Sequence, residues 1–111
     1  MTPTALPFPY TGPPELQMPV LAALSRVVDP EVALTIVDLG LIYGVEIDGG
    51  RARVRMTMTS AACPVADVIV DEVEFELEGL LPADGTVEVE LCWEPAWTPE
   101  RMSARARRFM G

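Results

Sequence analysis

The chain has 111 residues, half of them apolar and 6% aromatic, which suits one small domain with a core of Val, Leu, Ile, Ala and Met and no need of disulfide staples. Seventeen acids against eight arginines, with no lysine, give a net charge of −9, which excludes nucleic acid and anionic membrane as main partners because both need a dominant cationic face. The absence of histidine excludes Cys-His and Ser-His catalysis and every His-bearing zinc or iron site.

Residues 1–14 contain Pro3, Pro7, Pro9, Pro13 and Pro14. They suit neither a regular helix nor a central strand, so a disordered tail is expected, or an arm whose Leu6, Phe8 and Tyr10 pack on a neighbouring subunit. Residues 15–111 are expected to form a single domain. The start of the chain has no basic stretch followed by an apolar run of signal-peptide length, and no window approaches a membrane span. A reducing cytoplasm and free thiols are the expectation.

Pro19 opens a predicted helix through Val28, closed by Asp29-Pro30. The connector from Glu31 to Gly40 is rich in turn formers and sets Asp38 among Ile36, Val37 and Leu39. A carboxylate there is either a cap or turn former, or an acid placed beside a site. Leu41 to Asp48 alternates, with Leu41, Tyr43, Val45 and Ile47 on one face. Gly49-Gly50 is a two-residue hairpin turn, and Arg51 to Thr59 returns with Ala52, Val54, Met56 and Met58 inward. That register sets Asp48 opposite Arg51 and Glu46 opposite Arg53, opposite charges across the ladder.

The hairpin runs into Ser60-Ala61-Ala62-Cys63-Pro64 and a predicted helix from Pro64 to Leu80. Pro64 suits the first helical position, which makes Cys63 the N-cap, where the partial positive charge of the helix end favours a thiolate. Ala66, Ile69, Val73, Leu77 and Leu80 form the apolar stripe, opposed by Asp67, Asp71, Glu74 and Glu78. That acidic face is either solvated or a docking surface for a basic partner. Thr86 to Glu94 is a third predicted strand, with Val87, Val89, Leu91 and Trp93 inward and Glu88, Glu90, Cys92 and Glu94 flanking the arginine row. Thr98-Pro99-Glu100 then starts a last helix, with Thr98 as its cap.

The order α-β-β-α-β-α predicts a two-layer α/β (α+β) domain, a three-stranded mixed sheet covered on one face by helices. Three roles are open to Cys63: an inert apolar filler, a nucleophile for which Asp38 would be the unusual base, or a soft thiolate for iron, zinc, copper(I), a persulfide or a cluster. Thr57 and Thr59, on the strand leading in, are candidate hydrogen-bond donors to a sulfur or ligand, or ordinary strand residues. Iron–sulfur clusters normally take four ligands. A single Cys63 therefore needs a second Cys63 from a homodimer, Cys92, Asp38 or a partner protein to complete a shell.

Four ordered blocks carry a resemblance: Asp29-Pro30-Glu31; Ile36-Val37-Asp38-Leu39-Gly40-Leu41-Ile42-Tyr43; Met56-Thr57-Met58-Thr59 leading to Cys63-Pro64; and Trp93-Glu94-Pro95-Ala96-Trp97-Thr98-Pro99-Glu100-Arg101-Met102-Ser103. Over residues 19–104 the chain resembles the SufT/PaaD-like iron–sulfur cluster assembly family, in the short form without the C-terminal cysteine-rich extension of the PaaD branch. The resemblance implies a fold similar to the C-terminal domain of NifU-type scaffolds. It also implies a non-catalytic accessory role that brings a transient iron–sulfur cluster or iron, or the assembly machinery carrying it, to client apoproteins. The family's reactive cysteine falls on Cys63 and its acidic residue on Asp38. Two departures stand out: the turn Ser60-Ala61-Ala62, often Thr-Pro-Gly-like in relatives, and Cys92, where an aliphatic residue is more usual. A thiol-dependent redox or transfer enzyme with Cys63 as nucleophile is the alternative, as is an adaptor docking through the acidic helix.

Overall fold

The computed structural model describes residues 8–30, 33–58 and 66–110. Its elements are β1 (Tyr10–Thr11), a 3-10 turn (Pro14–Leu16), α1 (Gln17–Leu24), β2 (Val28–Asp29), β3 (Leu34–Thr35), β4 (Ile42–Asp48), β5 (Arg51–Met56), α2 (Ala66–Glu78), β6 (Thr86–Leu91), a second 3-10 turn (Pro99–Arg101) and α3 (Ala104–Met110). The hairpin of β4 and β5 is the centre. Gly49 and Gly50 both take positive φ, 57° and 84°, the backbone that a two-residue turn of matching twist requires and that glycine adopts without steric penalty. The register is the expected one, with Asp48 opposite Arg51 and Glu46 opposite Arg53.

β6 lies parallel to β5, so Arg53 and Arg55 face Glu88 and Glu90 on the other side. The outward face therefore carries an arginine row between two acidic rows, with Arg53 and Glu88 3.5 Å apart. Ala52, Val54 and Met56 turn the other way, into a core closed by Val20, Ala23 and Leu24 of α1 and Ile69, Val73 and Leu77 of α2. Period two in the strands and periods of three and four in α2 meet at one apolar layer, and burial of that layer is what holds the domain together. Arg26 after α1 reaches Glu76 of α2 at 2.8 Å, a surface tie at the margin of the helix pair.

Several expectations are corrected. The sheet has four strands in the order β1-β4-β5-β6, and a separate ladder pairs β2 with β3. The extra strand comes from the proline-rich stretch: Phe8 is buried and Tyr10–Thr11 runs parallel to Val45–Glu46. From Phe8 onward that stretch packs on its own chain, because two residues between prolines suffice for an edge strand. The first helix ends at Leu24, and Val28 begins β2. Tyr43 leaves the inward row because the register shifts between Ile42 and Gly44. Such a bulge inserts one unpaired residue and reverses the alternation, so Ile42 joins Val45 and Ile47 in the core. Trp93, expected inward, follows the end of β6 and is 45% exposed. Thr98 makes no side-chain cap, and Pro99 opens only a 3-10 turn. The cap of α3 is Ser103, whose Oγ accepts from the Ala106 amide at 3.1 Å.

Candidate thiol site

Asp38 is held from two sides. Within its own turn, Thr35 Oγ1 accepts from the Asp38 amide at 3.0 Å and donates to Asp38 Oδ2 at 3.2 Å, the local pattern by which Thr and Asp fix a turn. From the far end of the chain, Ser103 Oγ donates to Asp38 Oδ1 at 2.9 Å, and the Ser103 amide donates to the Asp38 carbonyl at 2.8 Å. Each carboxylate oxygen thus accepts from a hydroxyl, and hydrogen bonds to an ionised acceptor are the stronger kind.

The same two segments meet along their length. Trp97 Nε1 donates to the Leu39 carbonyl at 2.7 Å, and Arg101 Nε donates to the Gly40 carbonyl at 3.0 Å. The Arg101 guanidinium lies 4.1 Å from the Tyr43 ring centroid, a cation–π contact, and the Tyr43 hydroxyl donates to the Pro95 carbonyl. The bulge is what turns Tyr43 toward this junction. Gly40 sits at its closest approach: its φ is +74°, and a Cβ there would fall 2.1 Å from the Arg101 carbonyl oxygen, so only glycine fits.

The junction borders the end of the sheet from which β5 leaves. Leu41, just before β4, accepts from the Thr57 amide at 2.8 Å, and Met56 accepts from the Cys92 amide at 2.7 Å. The backbones of Leu41, Thr57 and Cys92 thus continue the ladder side by side, with Asp38 three residues upstream of Leu41. Thr57 is buried, with its hydroxyl 3.5 Å from the Met58 carbonyl. Cys92 is a half-exposed free thiol whose sulfur, among the described residues, has Glu90 oxygens at 3.9 and 4.0 Å. Cys63 and Thr59 lie outside the described residues, on the link from Met58 to Ala66. Among the described residues, no group of three or more His, Cys, Asp or Glu could hold a metal ion, and no helix is long and apolar enough to cross a membrane.

Sequence reasoning singled out Asp38, Thr57 and Cys92 as candidates but not Thr35 and Ser103, which hold Asp38, or Gly40, which sits against Arg101. The Thr-x-x-Asp spacing of Thr35 and Asp38 was a usable signal, since that spacing marks reciprocal side-chain and backbone bonding. Nothing local marks Ser103, 65 residues from Asp38.

The sequence profile of the family described as iron–sulfur cluster assembly protein matches residues 18–90. The chain is 44% identical over 93 residues to the Fe-S protein maturation auxiliary factor YitW of Bacillus subtilis, covering 83% of this chain and 90% of that one. It is 41% identical to the Fe-S protein maturation auxiliary factor SufT of Staphylococcus aureus, over 77% of this chain and 97% of that one. Among solved structures, a domain of unknown function, DUF59, from Bacillus anthracis superposes with a TM-score of 0.80 at 40% identity, covering 87% of this chain and 92% of that one. With a family profile spanning most of the domain, and relatives this similar along nearly their whole length, the chain belongs to the SufT/PaaD-like iron–sulfur cluster assembly protein family.

Proposed function

We infer that this protein is an accessory factor in iron–sulfur cluster assembly or transfer, that the cluster or iron is its cargo, and that Cys63 is the thiol that touches it. The observation that carries this is the extent of the family match: residues 18–90 include Cys63, Asp38, Thr57 and Thr59 and stop short of Cys92. Two relatives similar over nearly all their length are named as Fe-S protein maturation auxiliary factors. Cluster chemistry needs soft thiolate ligands, and Cys63 is the one cysteine within the matched residues.

A cluster takes four ligands. A thiol that fills one position leaves the others for the assembly machinery that delivers the cargo, for the client apoprotein that receives it, or for a second Cys63 in a homodimer. Transfer is then a ligand exchange, in which a client thiolate replaces the Cys63 thiolate at iron with no change in oxidation state. Asp38 serves this site as a positioning residue, because both its carboxylate oxygens are engaged by hydroxyls. It fixes the junction beside which Thr57 and the link to Cys63 emerge. Thr59 is the hydroxyl assigned to the cargo.

The test is a transfer assay from a cluster-loaded scaffold to an apo-[4Fe–4S] acceptor enzyme. The wild type should accelerate recovery of acceptor activity, Cys63→Ser should abolish the acceleration, and Cys92→Ser should retain it. Equal acceleration by wild type and Cys63→Ser would remove the thiol from the reaction.

A further inference from the structure

The two edges of the main sheet differ. One edge strand, β1, is two residues long and lies between prolines, whereas the other, β6, runs for six residues and is paired, among the described residues, only with β5. The Thr86 amide donates to Gly50 at 3.1 Å and the Cys92 amide to Met56 at 2.7 Å. Backbone groups of alternate residues in a strand point to the same side. The N–H and C=O groups of Val87, Val89 and Leu91 therefore point away from β5, along an edge that contains no proline or bulge. Such an edge is a template for another strand.

Charge says which strand. On the open face, β4 contributes Glu46 and Asp48, β5 contributes three arginines, and β6 contributes Glu88 and Glu90. The rows run acidic, basic, acidic, and a cationic strand continues the alternation. A second copy of β6 would set glutamate against glutamate, which is destabilising across a ladder. On the opposite face Val87 and Val89 pack against the core. Just beyond, Leu91 and Trp93 are 37% and 45% exposed, an apolar ledge at the end of the edge.

We propose that the free edge of β6 docks an extended segment of a partner protein, with arginine or lysine at alternate positions and apolar residues between them, taken up as an additional strand. The cations lie beside Glu88 and Glu90, and the apolar side chains extend the row of Val87, Val89 and Leu91. The segment ends next to Cys92 and the exit of β5. This inference does not rest on the role of Cys63.

The chain itself supplies a probe, since β5 already pairs with β6: a synthetic peptide copying residues 50–57, with a control in which its arginines are glutamates. In amide-resolved NMR titrations the basic peptide should shift Val87, Val89 and Leu91 and slow their hydrogen exchange, and the acidic peptide should do neither. Val89→Pro removes an N–H that the parent sheet does not use, so it should leave the remaining spectrum close to wild type while weakening the peptide by roughly tenfold. Glu88→Lys with Glu90→Lys should reverse the preference, so that the acidic peptide binds and the basic one does not. This reversal tests the proposal even if Val89→Pro fails to fold. Shifts confined to α2, or binding unchanged by both variants, would overturn it. Self-association of the wild type through these same amides would instead give the edge to a second copy and equally overturn it.

Discussion

The junction of residues 35–43 with 93–103 borders the end of the sheet from which β5 leaves, the edge of β6 runs along its side, and the two are built on opposite rules. In the junction the polar groups are engaged: Asp38 by Thr35 and Ser103, the Leu39 carbonyl by Trp97, the Gly40 carbonyl by Arg101. At the edge, alternate backbone groups point outward and Leu91 and Trp93 remain exposed. A saturated network specifies one geometry, and an unsaturated edge invites a contact.

The contrast makes quantitative demands. Gly40→Ala should show the largest loss, at least about 3 kcal/mol in denaturant unfolding, because a Cβ collides with the Arg101 carbonyl at 2.1 Å and φ is positive. Asp38→Ala should cost about 2 kcal/mol by leaving two hydroxyls without their charged acceptor. In a double-mutant cycle with Ser103→Ala the two losses should fall short of additive, and strict additivity would show that the two segments are not coupled through this carboxylate. On the other side of the contrast, Val89→Pro should change stability by no more than about 1 kcal/mol, and Arg53→Ala by about 0.5 kcal/mol or less, as exposed pairs do. A large loss from either would erase the distinction between the regions.

The smallest effect concerns the short edge strand β1. Burial, and secondarily the Glu15 carboxylate, raise the Tyr10 hydroxyl above its ordinary pKa of 10.0, and that hydroxyl donates to the Pro13 carbonyl at 2.6 Å. Because the folded chain holds this proton more tightly than the unfolded chain, the stabilisation is complete below pH about 10 and is lost as pH rises through the folded value. Tyr10→Phe should therefore flatten the alkaline fall in stability, measured as the difference between the two unfolding curves across that range.

What could be read from the sequence was whatever depends on neighbours a few positions away. The Gly49-Gly50 turn, the facing of Asp48 with Arg51 and of Glu46 with Arg53, the arginine row and the buried stripe Ile69-Val73-Leu77 all follow from periodicity and turn chemistry. The rest depends on contacts far along the chain. Tyr43 looks inward by simple alternation, and only the bulge, which serves a tyrosine–arginine contact across 58 residues, takes it out of the row. Ser103 looks like a loop serine until Asp38 is beside it. Phe8 looks like part of a tail until Tyr10–Thr11 finds the free side of β4. The segment with Cys63 was singled out by a cysteine at a predicted helix-cap position, where an oxygen side chain is usual. Its assignment to cluster chemistry rests on the family rather than on that oddity.

The central claim is that Cys63 contacts the cargo, and anaerobic reconstitution with ferrous iron and sulfide tests it most directly. Wild type and Cys92→Ala should develop the same thiolate-to-iron charge-transfer absorption in the visible range, and Cys63→Ala should develop none. A spectrum unchanged by Cys63→Ala, or one abolished only by Cys92→Ala, would contradict the account.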